Sequence, residues 1–344
     1  MKEVPYVRDI LSQPEALESA LRAFDATPLE DAAAQLNAGN YDRVVITGMG
    51  ASYHSGYPAW LLLSRGQVPA IWVDTAELIH HAASLVTSRT LLWMTSQSGR
   101  SVEITAGLDG GRLTQPGTLI ATVNDLQSPL AAAAATCIPM HAEAEATVST
   151  RTYVNTLALG QLAAIALLSG DVEWARRDLL ETAAAMRTCL ADWTALKQRL
   201  VDAIGFPRRL VLLARGPSLC SAFSGALVLS EAAKYLATPF EAAEFRHGPL
   251  ETAGPDLTAL IFEGEPSTRD LNFGMLHELR QAGAKAFCIG STAQECQLPI
   301  PAVPIIGLPL MEILPIQTLS VHFAECIGVT PGDFLRIGKV TLKE

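Results

Sequence analysis

One local pattern occurs twice in this chain and constrains the fold more than any other feature. An apolar run, Arg43 to Thr47, leads into the turn Gly48 to Ser52 and then into a predicted helix, Tyr53 to Leu63. A second apolar run, Arg209 to Ala214, leads in the same way into Arg215-Gly216-Pro217-Ser218. Short apolar runs of this kind are typical of buried parallel strands, and a crossover helix must join each such strand to the next. The pattern predicts an α/β protein.

The remaining predicted strands follow the same alternation with helices. They are Ala70 to Val73, Thr90 to Met94, Thr118 to Val123, Thr258 to Glu263 and Ala286 to Gly290. Gly50 and Gly216 are separated by nearly as many residues as Ser96 and Glu263, and each pair marks corresponding strand ends. A near-constant separation of this length indicates a duplicated domain. We therefore predict two tandem, doubly wound domains, each a parallel sheet flanked by helices.

Helical patterns set the expected domain limits. The N-terminal residues and the stretch Thr150 to Ala203 both carry apolar residues at helical spacing, and the second stretch predicts two helices that break near Gly170. The predicted organisation is a helical segment (1–40), a first domain (41–165), connecting helices (166–205), a second domain (206–330) and a tail (331–344).

A serine-rich loop is the strongest candidate for a ligand site. Thr95-Ser96-Gln97-Ser98-Gly99-Arg100-Ser101 follows a predicted strand and precedes a helix-like segment. Such a junction points backbone N–H groups and hydroxyls at one spot, which favours an anion. Because the loop lacks the lysine of a nucleotide-binding P-loop, we predict a phosphate monoester as ligand. The alternative is an ordinary strand-to-helix turn with a serine N-cap.

Composition excludes several classes of function. The net charge of −10, without a cluster of Lys or Arg, argues against nucleic acid as a partner. We find neither an N-terminal signal pattern nor an apolar run near the roughly 20 residues that span a bilayer, so we expect a cytoplasmic protein without a membrane partner. The six cysteines are scattered and form no C-x-x-C pair, which makes disulfides and zinc unexpected.

The glycines after the first strand do not indicate a nucleotide cofactor. Gly48-Met49-Gly50 lacks the third glycine of a dinucleotide fingerprint, and no acidic residue ends the next strand at the required distance. We therefore expect no NAD, no other cofactor and no metal.

Several motifs together resemble the sugar isomerase (SIS) family. They are Gly50-Ala51-Ser52, Ser96 to Ser101, Glu231 followed by Glu244-Phe245-Arg246-His247-Gly248-Pro249-Leu250, and the tail Gly338-Lys339-Val340-Thr341. The chain is similar to the isomerase half of glutamine:fructose-6-phosphate aminotransferases, and the likeness covers essentially its whole length. The glutaminase half of that family, with its N-terminal nucleophilic cysteine, has no counterpart in this sequence. The resemblance thus implies tandem SIS domains and a stand-alone phosphosugar isomerase or deaminase.

The resemblance also implies roles for individual residues. It assigns the sugar phosphate to Ser96, Gln97, Ser98 and Ser101, and part of the sugar pocket to Ser52 and Ser149. It makes Glu231 the general base between C1 and C2 and His247 the ring-opening residue, and it lets Lys339 form a Schiff base with the open-chain ketose. From the residues alone, these three could equally be an exposed helix carboxylate, a turn residue and a solvated lysine.

The departures from the family pattern put the identity of the sugar in question. Arg100 replaces an acidic residue common in the phosphate loop, Ser101 replaces a threonine, and Asp333 to Gly338 replaces the usual residues before the lysine. The resemblance implies a hexose 6-phosphate as substrate, with an amino sugar as the first choice, and a homodimer whose site is completed across the interface. A deglycase of a sugar-amine conjugate and a non-catalytic sugar-phosphate sensor are the alternatives.

Overall fold

The computed structural model describes residues 4–145, 147–292 and 294–341. The chain folds as two compact units. The first-sheet unit comprises the described parts of Glu15–Glu145, Ser149–Leu180 and Arg336–Glu344. The second-sheet unit comprises those of Met1–Pro14, Ala146–Val148 and Glu181–Leu335.

Strands and helices alternate through both units. Within the described residues the strands are β1 (Arg43–Gly48), β2 (Ala70–Trp72), β3 (Thr90–Ser96), β4 (Thr118–Val123), β5 (Thr136–Pro139), β6 (Arg209–Ala214), β7 (Thr238–Glu241), β8 (Leu257–Phe262), β9 (Lys285–Gly290) and β10 (Leu298–Pro299). The α-helices are α1 (Pro5–Leu11), α2 (Gln13–Ala23), α3 (Glu30–Asn37), α4 (Ala51–Ser55), α5 (Tyr57–Arg65), α6 (Thr75–His80), α7 (Val102–Leu108), α8 (Pro129–Ala133), α9 (Arg151–Leu167), α10 (Val172–Leu190), α11 (Trp193–Ile204), α12 (Leu219–Ala233), α13 (Arg269–Gln281) and α14 (Leu308–Cys326). Short 3-10 turns connect several of them.

The two sheets have the same topology. The first has the order β2-β1-β3-β4-β5, and the second, read from its other edge, is β7-β6-β8-β9-β10. All strand pairs are parallel, with Val44 opposite Leu91 in the first sheet and Leu210 opposite Thr258 in the second. The order reverses between β1 and β3 and again between β6 and β8, which is where an open α/β sheet binds ligands. The predicted fold class is confirmed.

Each sheet has its own apolar core. The inner strands β1, β3 and β4 are almost completely buried in the first-sheet unit, and β6, β8 and β9 are buried in the second. Such runs are buried on both faces because helices cover a parallel sheet on both sides. This burial explains why these central strands could be recognised in the sequence as continuous apolar runs.

Two helix predictions need correction. The stretch after Thr150 forms three helices, because α10 and α11 are separated at Asp192, whose side chain accepts the N–H of Ala195 at 3.0 Å and caps α11. The helix expected at Tyr53 to Leu63 is divided at Gly56 into α4 and α5. The break at Gly56 has no side-chain cap, but Pro58 in the first turn of α5 has no N–H to extend the hydrogen bonds of α4. Both breaks leave the apolar periodicity largely continuous, so the pattern did not show them.

A further correction concerns apolar length. One helix among the described residues, Ile305–Cys326, is long and apolar enough to cross a membrane by length and composition, with a mean hydropathy of 1.3. The expectation that no apolar stretch approaches the length needed to span a bilayer was therefore wrong. However, 78% of its apolar window is buried inside the protein, as in the core helix of a soluble fold. Within the second-sheet unit this helix packs on α12 and α11.

The same helix carries a buried carboxyl group. Glu312 accepts the hydroxyls of Ser218 at 2.8 Å and Ser221 at 2.9 Å. Burial raises the pKa of Glu312 to about 7, although the two hydroxyls act to lower it. The two hydroxyl donors explain how an acidic residue is tolerated inside an otherwise apolar helix.

Candidate functional site

The serine-rich loop lies at the carboxyl end of β3 in the first-sheet unit. Ser96 is the last residue of β3, and Ser101 is the N-cap of α7. The Ser96 hydroxyl oxygen accepts the N–H of Gly99 at 3.1 Å, and the Ser98 hydroxyl accepts that of Arg100 at 3.2 Å. Because each oxygen acts as an acceptor within the loop, its O–H proton can still be donated to another group. Ser101 makes no side-chain capping bond to α7.

The serine-rich loop packs closely against the N-terminal end of α8. Gly99 adopts a φ of +61°, and a Cβ at this position would lie 2.2 Å from the Ser128 hydroxyl oxygen. Its carbonyl accepts the N–H of Leu130 at 3.4 Å. A larger residue would therefore push the loop away from the N-terminal end of α8, so Gly99 is needed for this close approach.

Arg100 is directed to the neighbouring loop after β4. Its guanidinium pairs with Asp125 at 2.9 Å and donates to the Gln127 carbonyl at 2.9 Å. The Gln127 N–H and the Arg100 guanidinium both hold the pKa of Asp125 below its usual value. The arginine that departs from the family pattern thus joins two loops at the carboxyl end of the sheet.

A small cleft brings three predicted ligand residues together in the first-sheet unit. Its walls include Ser52 from α4, Gln97 from the serine-rich loop and Ser149 just before α9. Thr152 and Thr156 of α9 add further hydroxyls. The cleft lies just beyond the carboxyl ends of the paired strands β1 and β3, and its polar groups are neutral donors and acceptors.

The neighbouring histidine adds no positive charge to this cleft. His54 follows Ser52 on α4, and burial lowers the pKa of its imidazole to about 4. His54 is therefore neutral at physiological pH. An anion here would be held by hydroxyl and amide donors.

The C-terminal tail returns to the same unit. The Lys339 ammonium lies 3.5 Å from the Glu145 carboxylate, and the Thr341 carbonyl accepts the N–H of Val102 at 3.1 Å, at the start of α7. Glu145 was not predicted from the sequence. It lies far from Lys339 along the chain, and no motif marks it.

Glu231 lies in the second-sheet unit, in the last turn of α12, and is partly exposed. Lys234 ends this helix in the left-handed conformation, and its ammonium donates to the carbonyls of Glu231 and Asp333. The N–H of Gly332 donates to the Ala232 carbonyl at 3.1 Å. The chain segment before the tail is therefore attached to the end of the helix that carries Glu231.

His247 lies in an exposed loop of the second-sheet unit, directly after a 3-10 turn at Glu244–Arg246. The turn begins where the N–H of Glu244 donates to the Glu241 carboxylate at 2.7 Å. Glu241 in turn pairs with the largely buried Arg215 at 3.1 Å. This chain of contacts, which the sequence did not reveal, determines where the His247 loop leaves β7.

The second sheet has no equivalent serine loop, because a carboxylate takes its place. Glu263 follows β8, where Ser96 ends β3, and its side chain accepts the N–H groups of Ser291 and Thr292 at 2.5 and 3.0 Å. Burial acts to raise the pKa of Glu263, but the Thr292 hydroxyl, which donates at 2.7 Å, these two N–H groups and the Arg269 guanidinium lower it overall. The donors at this position are thus already used by an anion of the chain itself. Among the described residues, no group of three or more His, Cys, Asp and Glu side chains could hold a metal ion.

The family follows from comparison with known proteins. The SIS domain model matches residues 40–166 and 206–324, which make up most of the chain. The chain belongs to the SIS domain family. The resemblance predicted from the motifs is confirmed, and each matched segment contains one of the two sheets.

The relatives of this SIS protein include larger enzymes. It is 28% identical over 343 residues to a glutamine–fructose-6-phosphate aminotransferase (isomerizing) of Pyrococcus horikoshii, covering 94% of this chain and 55% of the relative. The chain therefore spans about half the length of the curated relatives it matches. The C-terminal domain of the glucosamine-fructose-6-phosphate aminotransferase of Francisella tularensis has a TM-score of 0.84 at 21% identity, covering 97% of this chain and 98% of that chain. The match is thus to the isomerase half.

A second solved structure has the same fold but is named for a different activity. The glucosamine-6-phosphate deaminase of Thermotoga maritima has a TM-score of 0.79 at 16% identity, covering 98% of this chain and 100% of that chain. At such identities the structural likeness shows the fold alone.

Proposed function

We propose that this SIS protein is a phosphosugar isomerase or deaminase that acts on a hexose 6-phosphate. An amino-sugar 6-phosphate is the first candidate substrate. The observation that carries the proposal is the cleft of the first-sheet unit, where Ser52, Gln97 and Ser149 meet beside the serine-rich loop. The names of two relatives support the chemical class of the substrate, because the Pyrococcus aminotransferase and the Thermotoga deaminase are each named for a hexose 6-phosphate.

The loop would bind the phosphate by hydroxyl donation. Ser96 and Ser98 already accept loop N–H groups through their oxygens, so their protons can point at phosphate oxygens. Ser101 and the Gln97 amide add two further donors at the same end of the sheet. Hydrogen bonds to a charged oxygen are about twice as strong as neutral ones, which supports binding without a lysine.

The proposed reaction moves a proton between two carbons. His247 opens the ring by transferring a proton between the ring oxygen and the anomeric hydroxyl. Glu231 removes the proton at C2 of the open aldose and returns it to C1, through an enediol or, for an amino sugar, an enolamine. A second proton passes from O2, or from the amine nitrogen, to O1. In deamination the resulting C2 imine adds water and releases ammonia, so one water is consumed for each ammonia formed. Lys339 would contact the open-chain carbonyl.

The reaction can be tested on a panel of substrates. Glucosamine 6-phosphate, fructose 6-phosphate and related esters are incubated with the protein in deuterium oxide, and products, ammonia and carbon-bound deuterium are measured. We expect deuterium at C1 or C2 for at least one phosphorylated sugar and none for the free sugars. A protein that binds these phosphates but gives neither deuterium exchange nor turnover would be a sensor. Release of an amine from a sugar-amine conjugate would indicate a deglycase.

We further propose a homodimer, in the cytoplasm, in which the exposed His247 loop serves the partner's site. Mixed dimers of Glu231→Gln and His247→Asn chains should then recover part of the wild-type activity, because one of the two sites in each mixed dimer regains both groups. Subunit exchange is followed by native mass spectrometry, with each variant alone as the inactive control. A monomer at micromolar concentration, or exchange without recovered activity, would contradict the shared site.

A further inference from the structure

The buried carboxylate of Glu145 is rigidly oriented in the first-sheet unit. The side chain is fully buried and lies in the segment before α9. One oxygen accepts the N–H and the hydroxyl of Thr150 at 3.0 and 2.8 Å, and also the N–H of Thr152 at 3.2 Å. The other accepts the Thr152 hydroxyl at 2.5 Å. Four donors from Thr150 and Thr152, with the Arg151 guanidinium 4.0 Å from the first oxygen, therefore leave the carboxylate little freedom to turn.

The second oxygen also faces the C-terminal tail. It lies 3.5 Å from the Lys339 ammonium, whose side chain is 22% exposed. Terminal segments are poorly ordered unless something ties them down, and a lysine ammonium is a point charge on a flexible stem. An oriented, water-excluded carboxylate is therefore the group that determines where this ammonium comes to rest. The contact between Val102 and Thr341 is a second attachment, close by in the chain.

Glu145 is also one hydrogen bond away from the candidate cleft. Thr152, which donates to it, lines that cleft together with Ser52 and Gln97. We propose that Glu145 is a positioning residue that holds Lys339 and the tail at the cleft of the first-sheet unit. For the chemical role of the lysine this inference rests on the proposed function, but the attachment of the tail does not.

The attachment can be measured without any substrate. Trypsin is added under native conditions, and cleavage after Arg336 is followed by the intact mass of the protein. Glu145→Gln should speed this cleavage about tenfold, because losing one charge-assisted contact makes local opening of the tail more frequent. Glu143→Gln is the matched control. It is the same change in the same segment, but the Glu143 side chain is 87% exposed. Its partner Arg151 also lies 4.0 Å from Glu145, and the variant keeps that contact and the contact between Glu145 and Lys339, so cleavage should stay at the wild-type rate.

A double-mutant cycle separates positioning from general loosening. Lys339→Gln should also speed cleavage after Arg336, and Glu145→Gln with Lys339→Gln should be no faster than either single variant. The proposal would be overturned if the accelerations of cleavage in the two single variants multiplied in the double variant. It would also be overturned if Glu145→Gln folded and was cleaved at the wild-type rate. If Glu145→Gln does not fold, Lys339→Gln and Lys339→Arg decide. Only the first should speed cleavage, and a wild-type rate for Lys339→Gln would overturn the proposal.

The catalytic consequence has its own readout. With an active substrate, Glu145→Gln should lower kcat at least tenfold while KM changes by less than about threefold, because the phosphate loop is untouched. Glu143→Gln should leave both constants unchanged. A rise in KM as large as the fall in kcat would show that Glu145 serves the cleft rather than the lysine. If no sugar phosphate reacts, the proposed function fails, whereas the proteolysis result still decides the attachment.

Discussion

Replacing Glu231 with Gln is expected to lower turnover by at least about a hundredfold, since general-base catalysis contributes ~10²–10⁴-fold in rate. Glutamine keeps the shape and hydrogen-bonding capacity of the side chain but cannot accept the proton from carbon. Affinity for the sugar phosphate should change little, because the phosphate donors lie on the serine-rich loop. Steady-state kinetics and calorimetric binding measure the two effects separately.

The decisive companion measurement is proton exchange. Glu231→Gln should stop the incorporation of solvent deuterium at C1 or C2, which reports proton transfer even when the overall reaction is slow. Glu181→Gln is the matched control, because it is the same change on an exposed position of α10. Deuterium incorporation at the wild-type rate in Glu231→Gln would show that Glu231 is not the base. The proposed phosphate site would not be contradicted by that result.

The second large effect is expected in the phosphate loop. Ser96→Ala together with Ser98→Ala should weaken binding of a sugar 6-phosphate by a few kcal/mol, at roughly 1.5–3 kcal/mol for each hydrogen bond to a charged group. This corresponds to an affinity loss of about 10²–10⁴-fold. Binding of the free sugar should be undetectable in both proteins, since the phosphate supplies the charge that these donors recognise. Isothermal titration calorimetry measures each case.

The loop bonds of Ser96 and Ser98 require a control for misfolding. Thermal unfolding of the double variant checks that the loop change has not disturbed the sheet. Ser88→Ala is the control variant, because Ser88 is exposed and lies just before the start of β3, at the opposite end from the loop. This variant should bind the sugar phosphate as tightly as the wild type does. Unchanged affinity in the double variant would place the phosphate elsewhere.

The central strands could be predicted because their environment imposes a pattern on the sequence. β1, β3, β4, β6, β8 and β9 are buried between layers of helices and appear as continuous apolar runs, and β4 and β6 have the predicted limits. The short strands β5, β7 and β10 were not predicted. Each has two to four residues, and most of these are partly exposed, so neither length nor apolarity distinguished them from loops.

Some residues of the candidate site could likewise be predicted from the sequence, whereas others could not. The serine-rich loop could be identified because all of its donors lie within one short segment, next to a strand end. Ser52 and Ser149 could be named only through the family resemblance, and the cleft that includes both together with Gln97 appears only in the fold. The roles of Glu231, His247 and Lys339 stay predictions. No local pattern indicated Glu145, because its meaning depends on a lysine almost two hundred residues away.

The sequence by itself determined the α/β class, the duplication, the family and the location of the serine-rich loop, because these depend on local residue order and on repetition of one pattern. Tertiary structure alone decided which distant polar groups meet. It directed Arg100 to Asp125, attached Lys234 to the segment before the tail, and placed Glu145 beside Lys339. The physical reason is that a hydrogen bond or an ion pair needs two atoms within about 3 to 4 Å, and parallel strand order brings together residues whose separation along the chain carries no such information.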